Sequence, residues 1–131
     1  MKNVVFVCVE NSNRSQMAQA FAIINGKDIN AYSAGSNPSG KVNPKAIAAM
    51  KELDYDLASH TSTSTEDLPN EVMEYLVTMG CGDTCPYVPA KNRIDWDLPD
   101  PRDMNEEEFR KVRDRIQELV IELLTKMDCK A

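Results

Sequence analysis

The sequence predicts a doubly wound α/β protein built on a parallel sheet, and three observations carry that prediction. The chain opens on a short continuous apolar run, Asn3-Val4-Val5-Phe6-Val7-Cys8, rich in β-branched residues, as in a strand buried on both faces. The period then changes, with Met17, Phe21 and Ile24 recurring at three- and four-residue spacing along one side of a helix. Strand-like and helix-like segments keep alternating afterwards. That order places ligands at the carboxyl ends of the strands.

Taken in order, the first strand ends at Cys8, and Gly26 stops the first helical pattern as a C-terminal signal would. A second short strand is expected over Ile29–Ala34. Asn43-Pro44 then supplies a capping residue followed by proline at the first helical position, opening a helix whose buried face carries Ile47, Met50 and Leu53. The polar run Ser59-His60-Thr61-Ser62-Thr63-Ser64-Thr65 reads as a loop. Val72–Met79 (VMEYLVTM) reads as a third buried strand, and Ile94-Asp95-Trp96 as a short fourth. Phe109, Val112, Ile116, Leu119, Val120, Leu123 and Leu124 trace one stripe of a long C-terminal helix. Asn105 precedes it, and Glu106-Glu107-Glu108 form a first turn suited to the helix dipole.

At 131 residues the chain fits one domain, 1–131, with room for a core that needs neither disulfides nor a structural metal. No apolar run approaches the roughly 18 residues of a membrane span, and Met1-Lys2-Asn3 leads into a strand without a signal-peptide layout. The expected location is cytoplasmic, with no membrane partner. Cys8, Cys81, Cys85 and Cys129 are then expected as thiols, so a disulfide among them is catalytic rather than structural. A net charge of −6 argues against a nucleic-acid-coating surface. One locally positive loop can still hold a small anion.

The segment Cys8-Val9-Glu10-Asn11-Ser12-Asn13-Arg14-Ser15 lies where such a fold puts its anion site, between the first strand and the first helix. A loop of this length wraps a tetrahedral oxyanion with successive backbone N–H groups and the following helix N-terminus. Arg14 adds a two-pronged donor. The same positive field favours a thiolate at Cys8, so nucleophile and substrate cradle come from one segment. Asn11, Ser12, Asn13 and Ser15 offer short polar side chains to hold the loop or to hydrogen-bond the sulfur. The bland alternative makes Cys8 a small apolar strand end and Arg14 an exposed helix start.

On these residues the chain resembles the low-molecular-weight protein tyrosine phosphatase fold family, and within it the thioredoxin-coupled arsenate reductases. The resemblance extends through Gln16-Met17-Ala18, Tyr32-Ser33-Ala34-Gly35, Val42-Asn43-Pro44-Lys45-Ala46-Ile47, His60-Thr61-Ser62, Asp100-Pro101 and Phe109-Arg110-Lys111-Val112-Arg113-Asp114, nearly the whole chain. It implies a four-stranded parallel sheet flanked by helices. It also places Asp100, followed by Pro101, on a loop facing the oxyanion site as the acid that protonates the leaving oxygen. Gln19 and Thr63 stand where some relatives carry acidic residues that help bind potassium, so no metal site is expected.

Cys81-Gly82-Asp83-Thr84-Cys85-Pro86 follows the third strand, on the edge that carries Cys8. Phosphatase chemistry does not need these thiols, whereas redox chemistry does. The resemblance implies a relay: Cys8 attacks arsenate, Cys81 attacks the Cys8 adduct, and Cys85 leaves a Cys81–Cys85 disulfide for thioredoxin or a similar dithiol protein to reduce. No bound cofactor is then required. Only three residues separate Cys81 from Cys85, fewer than in several members of that group. The runner-up is a phosphatase acting on phosphotyrosine or small phosphate esters, although Arg102-Asp103-Met104 stands where such relatives usually place aromatic residues. A third reading is a non-catalytic sensor of oxyanions or arsenicals. A zinc site would have to recruit Cys8, Cys129 or His60, and His60 reads instead as a structural loop residue, Cys129 as an incidental thiol at a frayed helix end.

Overall fold

The computed structural model describes residues 1–79 and 88–131. Strands β1 (Lys2–Cys8), β2 (Ile29–Gly35), β3 (Met73–Thr78) and β4 (Ala90–Asp95) form one sheet in the order β2-β1-β3-β4. Every pairing is parallel, with Cys8 beside Gly35 and Val7 beside Thr78. The strand predicted to be buried on both faces is the one at the centre: Val4, Val5, Phe6 and Val7 are essentially inaccessible. Helices α1 (Arg14–Asn25), α2 (Pro44–Lys51) and α3 (Glu106–Lys126) flank the sheet.

The pleat of β1 divides the core in two. Val4, Phe6 and Cys8 join the larger cluster with Met17 and Phe21 of α1, Met50 of α2 and Ile116 and Leu124 of α3. Val5 and Val7 point the other way, onto Met73, Leu76, Val88 and Leu68. The connection from β2 to β3 passes Leu57 in the first cluster and Leu68 in the second, so the chain crosses between faces before β3. Full burial of side chains such as Phe21 or Met50 contributes roughly 1.5–3 kcal/mol each. This core fixes the carboxyl edge of β1, from which the Cys8 loop departs.

Several sequence expectations are corrected in detail. Ile24 is 45% exposed, as is its neighbour Ile23 at 49%, so the buried face of α1 ends at Ala22. Gly26 does end α1, as expected, in an extended conformation, and a Cβ there would lie 2.5 Å from Ala22 O. Leu53 lies beyond the end of α2, in a turn closed by Asp54 in the left-handed region (φ 62), and is exposed. The fourth strand begins at Ala90, well before Ile94, and Trp96 follows it.

The C-terminus is tied down. Lys27 N–H donates to Cys129 O (2.7 Å), Ala131 N–H to Asn25 O (2.8 Å), and Lys130 bridges Gly26. Cys129 is therefore a buried thiol in the larger cluster and not a residue at a frayed end. No described helix is long and apolar enough to cross a membrane.

Candidate active site

Between β1 and α1 the peptide groups are sorted by direction. Every carbonyl of residues 8–13 accepts a hydrogen bond from outside. Ser36, Asn37 and Ser39 N–H groups donate to Cys8 O (3.3 Å), Val9 O (2.8 Å) and Glu10 O (3.1 Å). Gln16 Nε2 donates to Asn11 O (3.0 Å), Asn43 N–H to Ser12 O (3.1 Å) and Met17 N–H to Asn13 O (3.0 Å). By contrast, none of the N–H groups of residues 9–16 donates to an acceptor among the described residues. Asn13, at the N-cap of α1, makes no side-chain bond to the first turn, which leaves those donors free as well. Carbonyls outward and N–H groups inward, at the positive end of a helix dipole, make an anion nest.

The loop holds this shape because two positions permit it. Asn11 takes a left-handed conformation (φ 51), which a short amide side chain tolerates. Gly35, beside Cys8, leaves the space behind the loop open: a Cβ there would come within 2.5 Å of Val9 O and 2.9 Å of Asn11 N. Gly35→Ala is therefore expected to push the loop out of register. Phosphate affinity is expected to fall at least about tenfold, with about 1–3 kcal/mol of stability lost to overpacking. Calorimetric titration and thermal unfolding of the variant check both.

The polar run predicted as a loop braces the Cys8 loop from outside the cleft. Thr63 N–H donates to Asn11 Oδ1 (2.7 Å), Ser62 Oγ to Glu10 O (3.0 Å), and Gly35 N–H to Thr63 O (2.8 Å). Behind it runs a chain of donors that ends on the sulfur. Tyr55 O–H meets His60 Nε2 (2.6 Å), and His60 Nδ1 meets Gln16 Oε1 (3.0 Å). Gln16 Nε2 donates to Asn11 Oδ1 (2.9 Å) and Asn11 Nδ2 to Ser15 Oγ (2.8 Å), while Ser15 Oγ lies 2.9 Å from Cys8 Sγ. With the Gln16 amide nitrogen pinned by carbonyl acceptors, its oxygen accepts from His60, so Tyr55 donates to the other ring nitrogen. Burial holds the His60 pKa below its ordinary value, in keeping with that neutral form. His60 is thus a structural residue, as the sequence reading has it. Gln16 and Tyr55 had no assigned role in that reading.

Arg14 is buried, and its Nη1 donates to Leu98 O at 3.0 Å. One prong of the guanidinium therefore ties the loop to the segment that carries Asp100, and the remaining N–H groups stay available. Cys8, Val9, Glu10, Ser12, Asn13, Arg14, Asp100 and Arg102 line a cleft of about 410 Å³. The structure thus brings Asp100 and Cys8 together across 92 residues of sequence only through tertiary packing. Glu10 turns its carboxylate to the rim, where Arg102 meets it at 3.4 Å. Arg102 is a second cation at the cleft that carried no predicted role. Cys81 and Cys85 lie outside the described residues. Gln19, one of the two positions read against a potassium site, has both ends of its neutral amide engaged, by Ala31 O and Ser33 Oγ.

These features define a doubly wound α/β protein with a cradle of unpaired N–H groups beside a cysteine sulfur in its first strand-to-helix loop, of a size and polarity suited to a tetrahedral anion. The chain belongs to the low molecular weight phosphotyrosine protein phosphatase family, whose sequence profile matches residues 3–131. Its relatives include an arsenate reductase of Staphylococcus xylosus, 42% identical over 120 residues, covering 88% of this chain and 91% of that protein. A glutaredoxin arsenate reductase of Synechocystis sp. is 37% identical over 130 residues, covering 97% of this chain and 99% of the other. Among solved structures, an arsenate reductase in the phosphate binding state superposes with a TM-score of 0.81 at 36% identity, covering 96% of this chain and 98% of that one.

Proposed function

We propose that the protein reduces arsenate to arsenite through Cys8, Cys81 and Cys85. The observation that carries this reading is the free N–H cradle of residues 9–16 around a sulfur held by Ser15, with Arg14 and Asp100 at the same cleft. Cys8 thiolate attacks arsenic, a sulfur–arsenic bond forms, and the departing oxygen leaves as water after taking a proton from Asp100. Cys81 thiolate then attacks Cys8 sulfur. The pair of electrons in the sulfur–arsenic bond goes to arsenic, which leaves as arsenite, and a Cys8–Cys81 disulfide remains. Attack of Cys85 on Cys81 frees Cys8 and leaves a Cys81–Cys85 disulfide, which an external dithiol protein of the thioredoxin or glutaredoxin type reduces. The thiols supply both electrons, so the reaction calls for no bound redox cofactor. β3 runs out at the same edge, with Met79 N–H donating to Val7 O (2.9 Å), and Cys81 follows Met79 by two residues in the sequence.

The first step serves phosphoryl transfer equally well, and the family's phosphatase chemistry is the second reading. The test is arsenate-dependent NADPH oxidation by the purified protein with thioredoxin and thioredoxin reductase, run beside glutathione and glutaredoxin. Sustained turnover is expected with one of the two. Cys81→Ser and Cys85→Ser are each expected to lose multiple turnover while still hydrolysing para-nitrophenyl phosphate. Continued multiple-turnover arsenate reduction by either variant defeats the relay, and efficient ester hydrolysis without any arsenate turnover selects the phosphatase.

A further inference from the structure

Arg102 sits over the one cleft that combines the anion nest with Asp100, and nothing in the relay assigns it a task. Asp100 and Arg102 are the cleft's only described lining residues from outside the β1–α1 segment. The Arg102 guanidinium stands 3.4 Å from both carboxylate oxygens of Glu10 and 4.0 Å from Asp100 Oδ2. Its backbone N–H donates to Asp100 Oδ1 at 3.0 Å. From behind, Lys45 at the start of α2 donates to the carbonyls of Arg102 (2.8 Å) and Met104 (3.1 Å), so the turn that presents the side chain is anchored to a helix.

Two consequences follow from charge and from geometry. Glu10 and Asp100 put two carboxylates at the mouth of a site whose floor is made for an anion. Unneutralised, they repel a dianion. Arg102 bridges them, and its positive charge offsets one of the two negative ones. In-line attack by Cys8 sulfur at the floor also places the leaving oxygen on the opposite side, toward Asp100 and the mouth. A free oxyanion presents only a hydroxyl there, whereas a phosphate ester carries an organic group toward the mouth, where among the described residues Arg102 reaches from Asp100 to Glu10.

We propose that Arg102 determines specificity, favouring a free inorganic oxyanion dianion over phosphate monoesters. This deepens the arsenate reading and rests on it for the identity of the oxyanion, but its test does not need arsenate turnover. Inorganic phosphate is titrated calorimetrically into the wild type, Arg102→Ala, Arg102→Gln and the double variant Glu10→Gln/Arg102→Ala at low salt, and para-nitrophenyl phosphate hydrolysis is followed on the same preparations. Both single variants are expected to bind phosphate roughly fivefold more weakly, the scale of an exposed ion pair. The double variant is expected to recover most of that loss. Ester kcat/KM is expected to hold or rise. Unchanged phosphate affinity in both single variants overturns the assignment, and so does an equal fall in phosphate affinity and ester kcat/KM. The reductase reading fails separately, by absence of arsenate turnover in a wild type that binds phosphate normally.

Discussion

Cys8→Ser is expected to abolish arsenate reduction and para-nitrophenyl phosphate hydrolysis together, by at least about 10³-fold, because both begin with the same sulfur. A serine hydroxyl at neutral pH is a far weaker nucleophile than a thiolate, and it has no disulfide chemistry with which to release a reduced product. The fold is expected to survive. Cys8 is 3% exposed, yet serine occupies nearly the same volume and its hydroxyl can keep the contact to Ser15, so the stability change is expected within about 1 kcal/mol. Phosphate binding is expected to persist, since the N–H groups of residues 9–16 that face the anion are unchanged. Calorimetric titration beside the two activity assays checks the pattern. Loss of phosphate binding along with activity would mean that the cradle had collapsed, and residual turnover in either assay would move the nucleophile elsewhere.

What the sequence made legible follows the reach of local signals. β1 is read correctly because burial on both faces requires a continuous apolar run, and α3 because its stripe repeats over 21 residues with Asn105 capping Glu108 N–H. β4 is mostly invisible: Ala90–Asp95 is an exposed, polar edge strand that exists by backbone pairing with β3. The same division runs through the site. Cys8 and Arg14 announce themselves by position between a strand and a helix, while the donor chain runs from Tyr55 and His60 in the α2–β3 connection to Gln16 on α1, 44 positions from His60. Gln16 gives no such signal, since it lies about 100° round α1 from the Met17 and Phe21 stripe, and its burial appears only in the tertiary structure. Arg102 was noted only for the aromatic residue it displaces, because its pairing with Glu10 spans 92 positions.

Asp100→Asn separates an enzyme from a protein that only binds. The substitution is close to isosteric, and asparagine Oδ1 can still accept from the Arg102 N–H, so the turn and the Leu98 contact to Arg14 are expected to remain. What is lost is the proton. General acid catalysis of this kind is worth about 10²–10⁴-fold, and arsenate reduction is expected to slow by that order while phosphate binding holds or tightens, since a carboxylate leaves the mouth of the cleft. Esters grade the effect: para-nitrophenolate leaves readily without protonation, so its hydrolysis is expected to fall less than that of phenyl phosphate, whose leaving group needs the proton more. The wild type is expected to show little difference between the two esters in kcat, and the variant a large one. Equal losses on both esters would place Asp100 in positioning rather than proton transfer. Undiminished arsenate turnover would remove it from the chemistry altogether, and would shift the proton donor to another group at the mouth of the cleft, where Glu10 is the other acidic residue among the described lining.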